Sequence, residues 1–134
     1  MTYLLDSNTF IAGLNGDPKV LGRLDRLAPE EVLLCAPVLA ELEFGACCSA
    51  RRAENLKRID RLIDGTRFVP LDLETARRFG QLKAELRSRG LTITDFDLTI
   101  AATALCQGSV LVSDDHAFHD RVIDEDLTVE NWLV

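Results

Sequence analysis

The sequence predicts an α/β fold in which helices cover a central, mainly parallel β-sheet. Five short apolar runs of β-type residues are mostly separated by stretches long enough for a helix. Proline, glycine and asparagine residues mark where several of these helices begin and end. A chain of 134 residues with 47% hydrophobic and 28% charged residues has the usual size and composition of one globular domain. We therefore expect a single domain over residues 1–134.

Turn and capping residues define the first three helices. Asn15-Gly16 ends the helix that follows the first strand. Pro18 opens the second helix at a position where the missing N–H of proline is not needed, and Pro37 opens the third in the same way. The predicted strands cover residues 3–5, 32–35, 67–69, 110–112 and 127–129. The predicted helices cover residues 8–14, 17–27, 37–47, about 56–63, about 76–86 and 95–106.

Two amphipathic helices carry most of the positive charge. Apolar residues recur every three or four positions over 56–63 and again over 76–86, with basic residues between them. Residues 50–90 contain 11 of the 15 Lys and Arg residues and have a net charge of +5, whereas the rest of the chain has −12. This basic strip either guides a polyanion toward bound cations or is a solvated helix surface. The overall charge of −7 argues against a protein that coats nucleic acid by charge alone.

The segment over residues 95–106 differs from the other helices because it has almost no polar face. Leu98, Ile100 and the alanines around them predict a buried central helix. Gly108 ends this helix just before the strand over 110–112.

The first residues and the cysteines indicate the compartment. The apolar run that begins at Tyr3 is interrupted by Asp6, too early for a signal peptide or a membrane span, so we expect a cytoplasmic protein without membrane association. The cysteines form no Cys-x-x-Cys pair and lie mostly in apolar stretches, which favours buried thiols over disulfides or zinc ligands. They are Cys35, Cys47, Cys48 and Cys106.

Acidic residues follow two of the predicted strands. Asp6 comes directly after the first strand, and Asp114 and Asp115 follow the strand over 110–112. The carboxyl ends of parallel strands lie on one edge of the sheet, where α/β proteins usually bind ligands. We expect these carboxylates to face each other, although acidic residues after strands also commonly cap helices.

Two further acidic residues are predicted near the same edge. Asp97 is in the first turn of the buried helix, where an ionised carboxylate needs a partner. Asp95, two residues earlier, is expected to be the N-cap of that helix. Glu41 is one turn into the helix opened by Pro37, with a solvated surface position as the alternative, and Glu43 is expected to point elsewhere.

Such a cluster of carboxylates requires protons or cations. Two like charges about 4 Å apart repel by roughly 4 kcal/mol at an effective dielectric constant of about 20. Oxygen ligands favour Mg²⁺ or Mn²⁺ over zinc, and a site that leaves metal positions to water and phosphate suits phosphoryl chemistry.

The sequence resembles the PIN-domain nucleases, specifically the VapC-type toxins of bacterial toxin–antitoxin pairs. The resemblance extends over almost the whole chain and implies a three-layer α/β/α sandwich around the sheet. Four segments in the family's order carry it, each with one of the acids: YLLDSN at 3–8, VLAELEFG at 38–45, DLTIAATAL at 97–105 and LVSDDHAF at 111–118.

The resemblance assigns roles to individual residues. Asp6 and Asp97 match the principal metal ligands, while Glu41 and Asp115 match the acids that complete the catalytic pocket. Asp114 doubles the last acid and is the alternative to Asp115 as a metal ligand. Asn8 and Ser113 match supporting positions of the family, and Asp95, as the expected N-cap, is also assigned a supporting role.

Several other positions depart from the family pattern or are not part of it. Phe96 stands where many relatives have asparagine before the third acid. His116 and His119 are not required by the family pattern, and we expect His119 to be a surface residue. From the basic strip we expect Arg51, Arg52 and Arg58 to contact the RNA backbone.

The implied function is metal-dependent cleavage of cellular RNA, such as tRNA or rRNA, by a toxin with a Mg²⁺ or Mn²⁺ cofactor. The implied partners are the RNA substrate, a cognate VapB-type antitoxin and a second copy of the chain in a homodimer. A receiver-like signalling domain is one alternative, but the region after Val112 has no lysine of the kind such domains use. A non-catalytic PIN-like scaffold is the other, and all four acids are present.

Overall fold

The central sheet of the computed structural model, which describes all 134 residues, is five-stranded and entirely parallel. The strand order is β3-β2-β1-β4-β5. This confirms the predicted α/β class, since helices flank the sheet. The strands are β1 (Tyr3–Leu5), β2 (Val32–Cys35), β3 (Arg67–Val69), β4 (Val110–Val112) and β5 (Val129–Glu130).

Seven helices connect or follow these strands. The predicted helices all form, although the second ends at Leu24 rather than at residue 27, and a 3₁₀ turn, Pro29–Glu31, precedes β2. The short helix after β4 was not predicted. The helices are α1 (Ser7–Leu14), α2 (Pro18–Leu24), α3 (Ala36–Cys47), α4 (Arg52–Asp64), α5 (Leu73–Ser88), α6 (Asp95–Gln107) and α7 (His116–His119).

The strand order creates a crevice between β1 and β4. The chain proceeds outward from β1 to β2 and β3 and then returns through α5 and α6 to β4, on the other side of β1. Because crossovers between parallel strands are right-handed, the helices on these two routes cover opposite faces of the sheet. The connections after β1 and β4 therefore diverge, and they leave a binding crevice at the carboxyl edge.

The core packs the sheet against the surrounding helices, and α6 contributes more buried residues than any other helix. The side chains of β2 and β4 are all buried, as expected for strands covered on both faces. Leu98 and Ile100 of α6 are also buried, and Gly108 ends this helix with a positive φ of 61°. The predicted buried helix is thus confirmed.

Two local predictions were wrong. Cys47 and Cys48 are exposed, because the buried stripe of α3 ends at Ala46; Cys35 is buried, and all the cysteines are free. The fifth strand begins at Val129 rather than at residue 127, because the N–H of Leu127 closes a turn onto Asp124. None of the helices combines the length and apolar character needed to cross a membrane.

Candidate active site

Asp6 lies at the junction of β1 and α1, on the carboxyl edge of the sheet. The residue is 7% exposed, and its Oδ1 accepts hydrogen bonds from the N–H (3.2 Å) and the hydroxyl (3.1 Å) of Thr9. Its Oδ2 accepts a hydrogen bond from the hydroxyl of Ser113 at the end of β4. Asp6 therefore caps α1, and its carboxylate is also held in one orientation beside β4.

Glu41 reaches the same edge from α3. The helix begins directly after β2, so residue 41 is in its second turn, where the side chain is exposed. The hydroxyl of Ser7 donates a hydrogen bond of 2.6 Å to Oε2 of Glu41. This bond connects the first turn of α1 to α3 and orients an acid that would otherwise be free to move.

Asp97 is the third residue of α6 and is half-buried. Thr94, not Asp95, is the N-cap, and its Oγ1 accepts a hydrogen bond of 3.2 Å from the N–H of Asp97. The predicted capping role of Asp95 was wrong because the helix begins at Asp95 itself, one residue earlier than that role requires. The exposed Asp95 carboxylate instead forms an ion pair with Lys83 at 2.8 Å.

The loop after β4 presents its two neighbouring acids in different directions. Asp115 accepts a hydrogen bond of 2.9 Å from the N–H of Ala117 and so caps α7. The side chain of Asp114 accepts a hydrogen bond of 3.2 Å from the amide of Asn8. Ser113 is fully buried, and its Oγ also accepts a hydrogen bond of 3.0 Å from the N–H of Asp115.

The two histidines of α7 have unequal positions. Nε2 of His119 lies 2.6 Å from the carbonyl oxygen of Ser113, so it must carry the proton and donate. His119 is exposed, which confirms the expectation of a surface residue, and this bond ties its ring to the loop after β4. His116 is exposed and lies 3.5 Å from Asp120, outside the acidic site.

The acids converge on a single cleft of about 140 Å³. The structure brings Asp115 into this cleft and leaves Asp114 and Asp95 outside its lining, while Ser113 lies behind Asp6. The lining residues are Asp6, Ser7, Asn8, Glu41, Phe96, Asp97, Ile100, Asp115 and Phe118.

Burial and mutual repulsion disfavour the ionised carboxylates. Burial raises the pKa of Asp6 above its ordinary value; the hydrogen bonds from Ser113 and Thr9 oppose this shift, and the negative charge of Asp114 adds to it. Burial likewise raises the pKa of Asp97; hydrogen bonding of its carboxylate to the Thr94 side chain opposes this shift, and the charges of Asp115 and Glu41 add to it. The cleft is therefore an environment that favours a bound cation.

The donor set suits a hydrated divalent ion. The four acids of the cleft offer only oxygen ligands, which is the preference of Mg²⁺ and Mn²⁺. The structure contains no group of three or more histidine, cysteine or acidic side chains arranged to hold a metal ion. Mg²⁺ is commonly bound by one or two carboxylates and keeps several waters, so Asp6 and Asp97 fit such an ion.

Comparison with known proteins identifies the family. The model of the PIN domain matches residues 3–123. Ribonuclease VapC2 of Haemophilus influenzae is 31% identical, and the match covers 99% of both chains. The chain belongs to the VapC family of PIN-domain proteins. Ribonuclease VapC2 of Rickettsia felis is 28% identical over 98% of each chain.

Solved structures of VapC proteins have the same fold as this VapC-family chain. The VapBC2 complex of Rickettsia felis, bound to a promoter DNA fragment, contains a chain with a TM-score of 0.86, 28% identity and coverage of 98% of this chain and 99% of that one. DNA-bound VapBC of Salmonella typhimurium gives a TM-score of 0.87 at 26% identity, with 98% of each chain covered. The receiver-like alternative is thereby excluded.

The basic residues expected to contact RNA lie outside the cleft of this VapC-family chain. Arg51 is exposed and pairs with Glu54 at 3.4 Å, and Arg52 is exposed. The guanidinium of Arg58 donates to the carbonyl oxygen of Leu14. Arg58 therefore connects α4 to α1, which leaves Arg51 and Arg52 as the two with more freely accessible charge.

Sequence reasoning missed the residues that orient the acids. Ser7, Thr9 and Thr94 each make a hydrogen bond to an acid or to its N–H. The available signals were local: Thr94 precedes Asp97, and Asp6 precedes Thr9, at the spacing of a helix cap. The bond from Ser7 to Glu41 joins residues 34 apart and has no local pattern.

Proposed function

We propose that this VapC-family chain is a divalent-metal-dependent endoribonuclease, the toxin of a toxin–antitoxin pair, and that its active site is the acidic cleft. The observation that carries the proposal is the convergence of Asp6, Glu41, Asp97 and Asp115, from four distant segments, on one cleft beside β1 and β4. PIN-domain ribonucleases generally depend on divalent metal ions. We take Mg²⁺ as the cofactor, with Mn²⁺ as a substitute.

Asp6 and Asp97 would hold the ion, because they are the two acids whose carboxylates the fold partly withdraws from water. A divalent cation bound there supplies positive charge to the phosphate and lowers the pKa of a bound water. Glu41, which accepts a hydrogen bond from Ser7, would accept a hydrogen bond from the attacking water. Asp115, which also lines the cleft, completes the set of acceptors.

The substrate class is cellular RNA. One relative, 26% identical over 98% of this chain, is the tRNA(fMet)-specific endonuclease VapC of Salmonella typhimurium. We propose tRNA as the first substrate to test and rRNA as the second. Arg51 and Arg52 lie in the basic strip and are exposed, so they are available to the RNA backbone.

A VapB-type antitoxin has a suitable binding surface next to the cleft. A groove of about 340 Å³ runs between α1, α3 and α4, and Glu41 lines both the groove and the cleft. Its apolar residues include Leu42, Ala46 and the 45% exposed Ile11, which suits the apolar face of a helix. A basic side chain of the antitoxin would then neutralise the acids. We also propose a homodimer located in the cytoplasm.

The test is cleavage by protein purified free of antitoxin. Total RNA and purified tRNA are incubated with the wild type, Asp6→Asn and Asp97→Asn, in Mg²⁺, in Mn²⁺ and in EDTA. Asp95→Asn is the matched control, because Asp95 is in the same helical turn as Asp97 but pairs with Lys83 outside the cleft. We expect metal-dependent cleavage by the wild type and the control only. Cleavage in EDTA, or full activity of both cleft variants, would contradict the proposal.

A further inference from the structure

Phe96 is an aromatic residue that lines the acidic cleft without belonging to the core. It is 39% exposed and is absent from the hydrophobic residues packed around the core cluster. Phe118, the other aromatic residue of the cleft, is 4% exposed and belongs to that cluster. Phe96 is therefore the aromatic ring that a molecule bound in the cleft can contact.

The fold gives no reason for a phenylalanine at this position. Helix α6 is anchored by buried residues such as Leu98 and Ile100 and is capped by Thr94. Asp95, directly before Phe96, points outward to Lys83. A large exposed apolar side chain in this turn adds little to the core, so its function has to be sought in what the cleft binds.

We infer that Phe96 stacks on a nucleobase adjacent to the phosphate that is cut, and that the RNA is single-stranded at this point. This inference rests on the proposed ribonuclease function. The reacting phosphate has to lie among the acids that Phe96 adjoins, so a base attached to a neighbouring sugar is within reach of the ring. Bases in a duplex are already stacked on each other, which leaves unpaired bases for an aromatic side chain.

The charge of the cleft strengthens this argument. The four acids repel the RNA backbone wherever a cation does not intervene, and the chain as a whole carries −7. Stacking supplies affinity that does not depend on charge and tolerates any base. Phe96 thus helps to bind a substrate that the surrounding acids repel.

The first test separates binding from catalysis. Initial cleavage rates of a random-sequence single-stranded oligoribonucleotide, read by a fluorophore and quencher, give kcat and KM for the wild type, Phe96→Ala and Phe96→Trp. Stacking on a base is lost on substitution by alanine, so KM should rise by about 5- to 150-fold, with kcat within about twofold of the wild type. Phe96→Trp keeps an aromatic ring at this position, so its KM should remain close to that of the wild type. A purely structural effect of changing residue 96 would not distinguish tryptophan from alanine in this way.

Phe68→Ala is the matched control, because Phe68 is 41% exposed but lies on the edge strand β3 and not in the cleft. It should leave both constants unchanged. An unchanged KM in Phe96→Ala would refute stacking. If that variant instead loses affinity for antitoxin or for a second copy of the chain, with its RNA constants intact, Phe96 is a protein contact and the inference is wrong.

The second test uses the substrate. Once the bond cut by the wild type has been mapped, the nucleotides on either side are replaced in turn by abasic ones. One of the abasic substitutions should raise the KM of the wild type by the same factor as Phe96→Ala does with the intact RNA. The same abasic RNA should not raise the KM of Phe96→Ala any further. Additive effects of the two changes would refute the contact.

Binding of the labelled oligoribonucleotide in Mg²⁺, followed by fluorescence anisotropy, is measured in parallel with cleavage. If the wild type binds RNA without cutting it, the proposed function fails, while the Kd values of Phe96→Ala and Phe68→Ala still decide the stacking contact. If the wild type neither binds nor cuts this RNA, both proposals fail.

Discussion

Replacement of Asp6 by asparagine should abolish metal-dependent cleavage while leaving the fold almost as stable as before. An asparagine has the shape of the carboxylate, and its oxygen can still accept the hydrogen bonds from the N–H and hydroxyl of Thr9. Its amide can donate to the hydroxyl of Ser113, which reverses the direction of that bond. What the variant lacks is the negative charge.

The expected change in the free energy of unfolding follows from these contacts. Hydrogen bonds to a charged acceptor stabilise by about 1 kcal/mol more than neutral ones, which is the loss expected for each bond of Asp6. Removing a largely buried charge that Asp114 repels offsets this loss. Without metal, we expect the free energy of unfolding of Asp6→Asn to lie within about 1 kcal/mol of the wild type. Mg²⁺ at ten times its Kd adds about 1.4 kcal/mol to the wild type only.

Thermal unfolding with and without Mg²⁺ measures both expectations. For a chain of 134 residues, 1.4 kcal/mol corresponds to a rise of about 5 °C in Tm. The wild type should show this rise, Asp95→Asn should show it too, and Asp6→Asn should not. Two results would refute the reasoning. One is a loss of more than about 2 kcal/mol in the free energy of unfolding of Asp6→Asn without metal, and the other is a rise in its Tm with Mg²⁺ as large as that of the wild type.

Further predictions concern pH and three other positions. The raised pKa values of Asp6 and Asp97 mean that protonation of these acids stabilises the metal-free fold below about pH 3.8, and that this contribution is lost as the pH rises through the folded-state values. In urea unfolding, the free energy of unfolding of the wild type relative to that of Asp6→Asn should therefore be higher at pH 4 than at pH 7. Ser113→Ala should cost about 1 to 3 kcal/mol in urea and also lower kcat, because Ser113 holds one of the metal-binding acids. Leu98→Ala should cost about 2 to 5 kcal/mol in the same assay. Lys83→Ala should cost less than about 1 kcal/mol, because its ion pair is exposed.

Most of the fold could be predicted because its signals are local. Apolar runs indicated the first four strands, and prolines and glycines marked the helix ends. The errors fall where distant contacts decide the outcome. Strand β5 has two residues, and it is a strand because Val129 and Glu130 pair with β4. Helix α7 is one turn long and depends on the cap from Asp115, too short a pattern to stand out in the sequence.

The acids of the site could be predicted more fully than their supports. Asp6 and Asp115 cap helices just after strands, and Glu41 and Asp97 lie in the first two turns of helices; topology is enough to bring such positions to one edge. Which of two neighbouring acids enters the cleft depends on the conformation of the loop, which a pattern of residue types does not contain. The bond from His119 to the carbonyl of Ser113 depends on the same conformation.

The two interpretations offered for the acids, helix caps and a cation site, are not alternatives in this chain. Asp6 and Asp115 each cap a helix and also line the cleft. Interaction with a helix N-terminus stabilises a carboxylate by about 0.3 to 1 kcal/mol, whereas two like charges about 4 Å apart repel by roughly 4 kcal/mol. Capping therefore orients the acids but cannot neutralise them. Where the acids are ionised, the remaining repulsion has to be offset by a cation: we propose a metal ion during catalysis and a basic side chain of the antitoxin during inhibition. Activation and inhibition then depend on the same excess of negative charge.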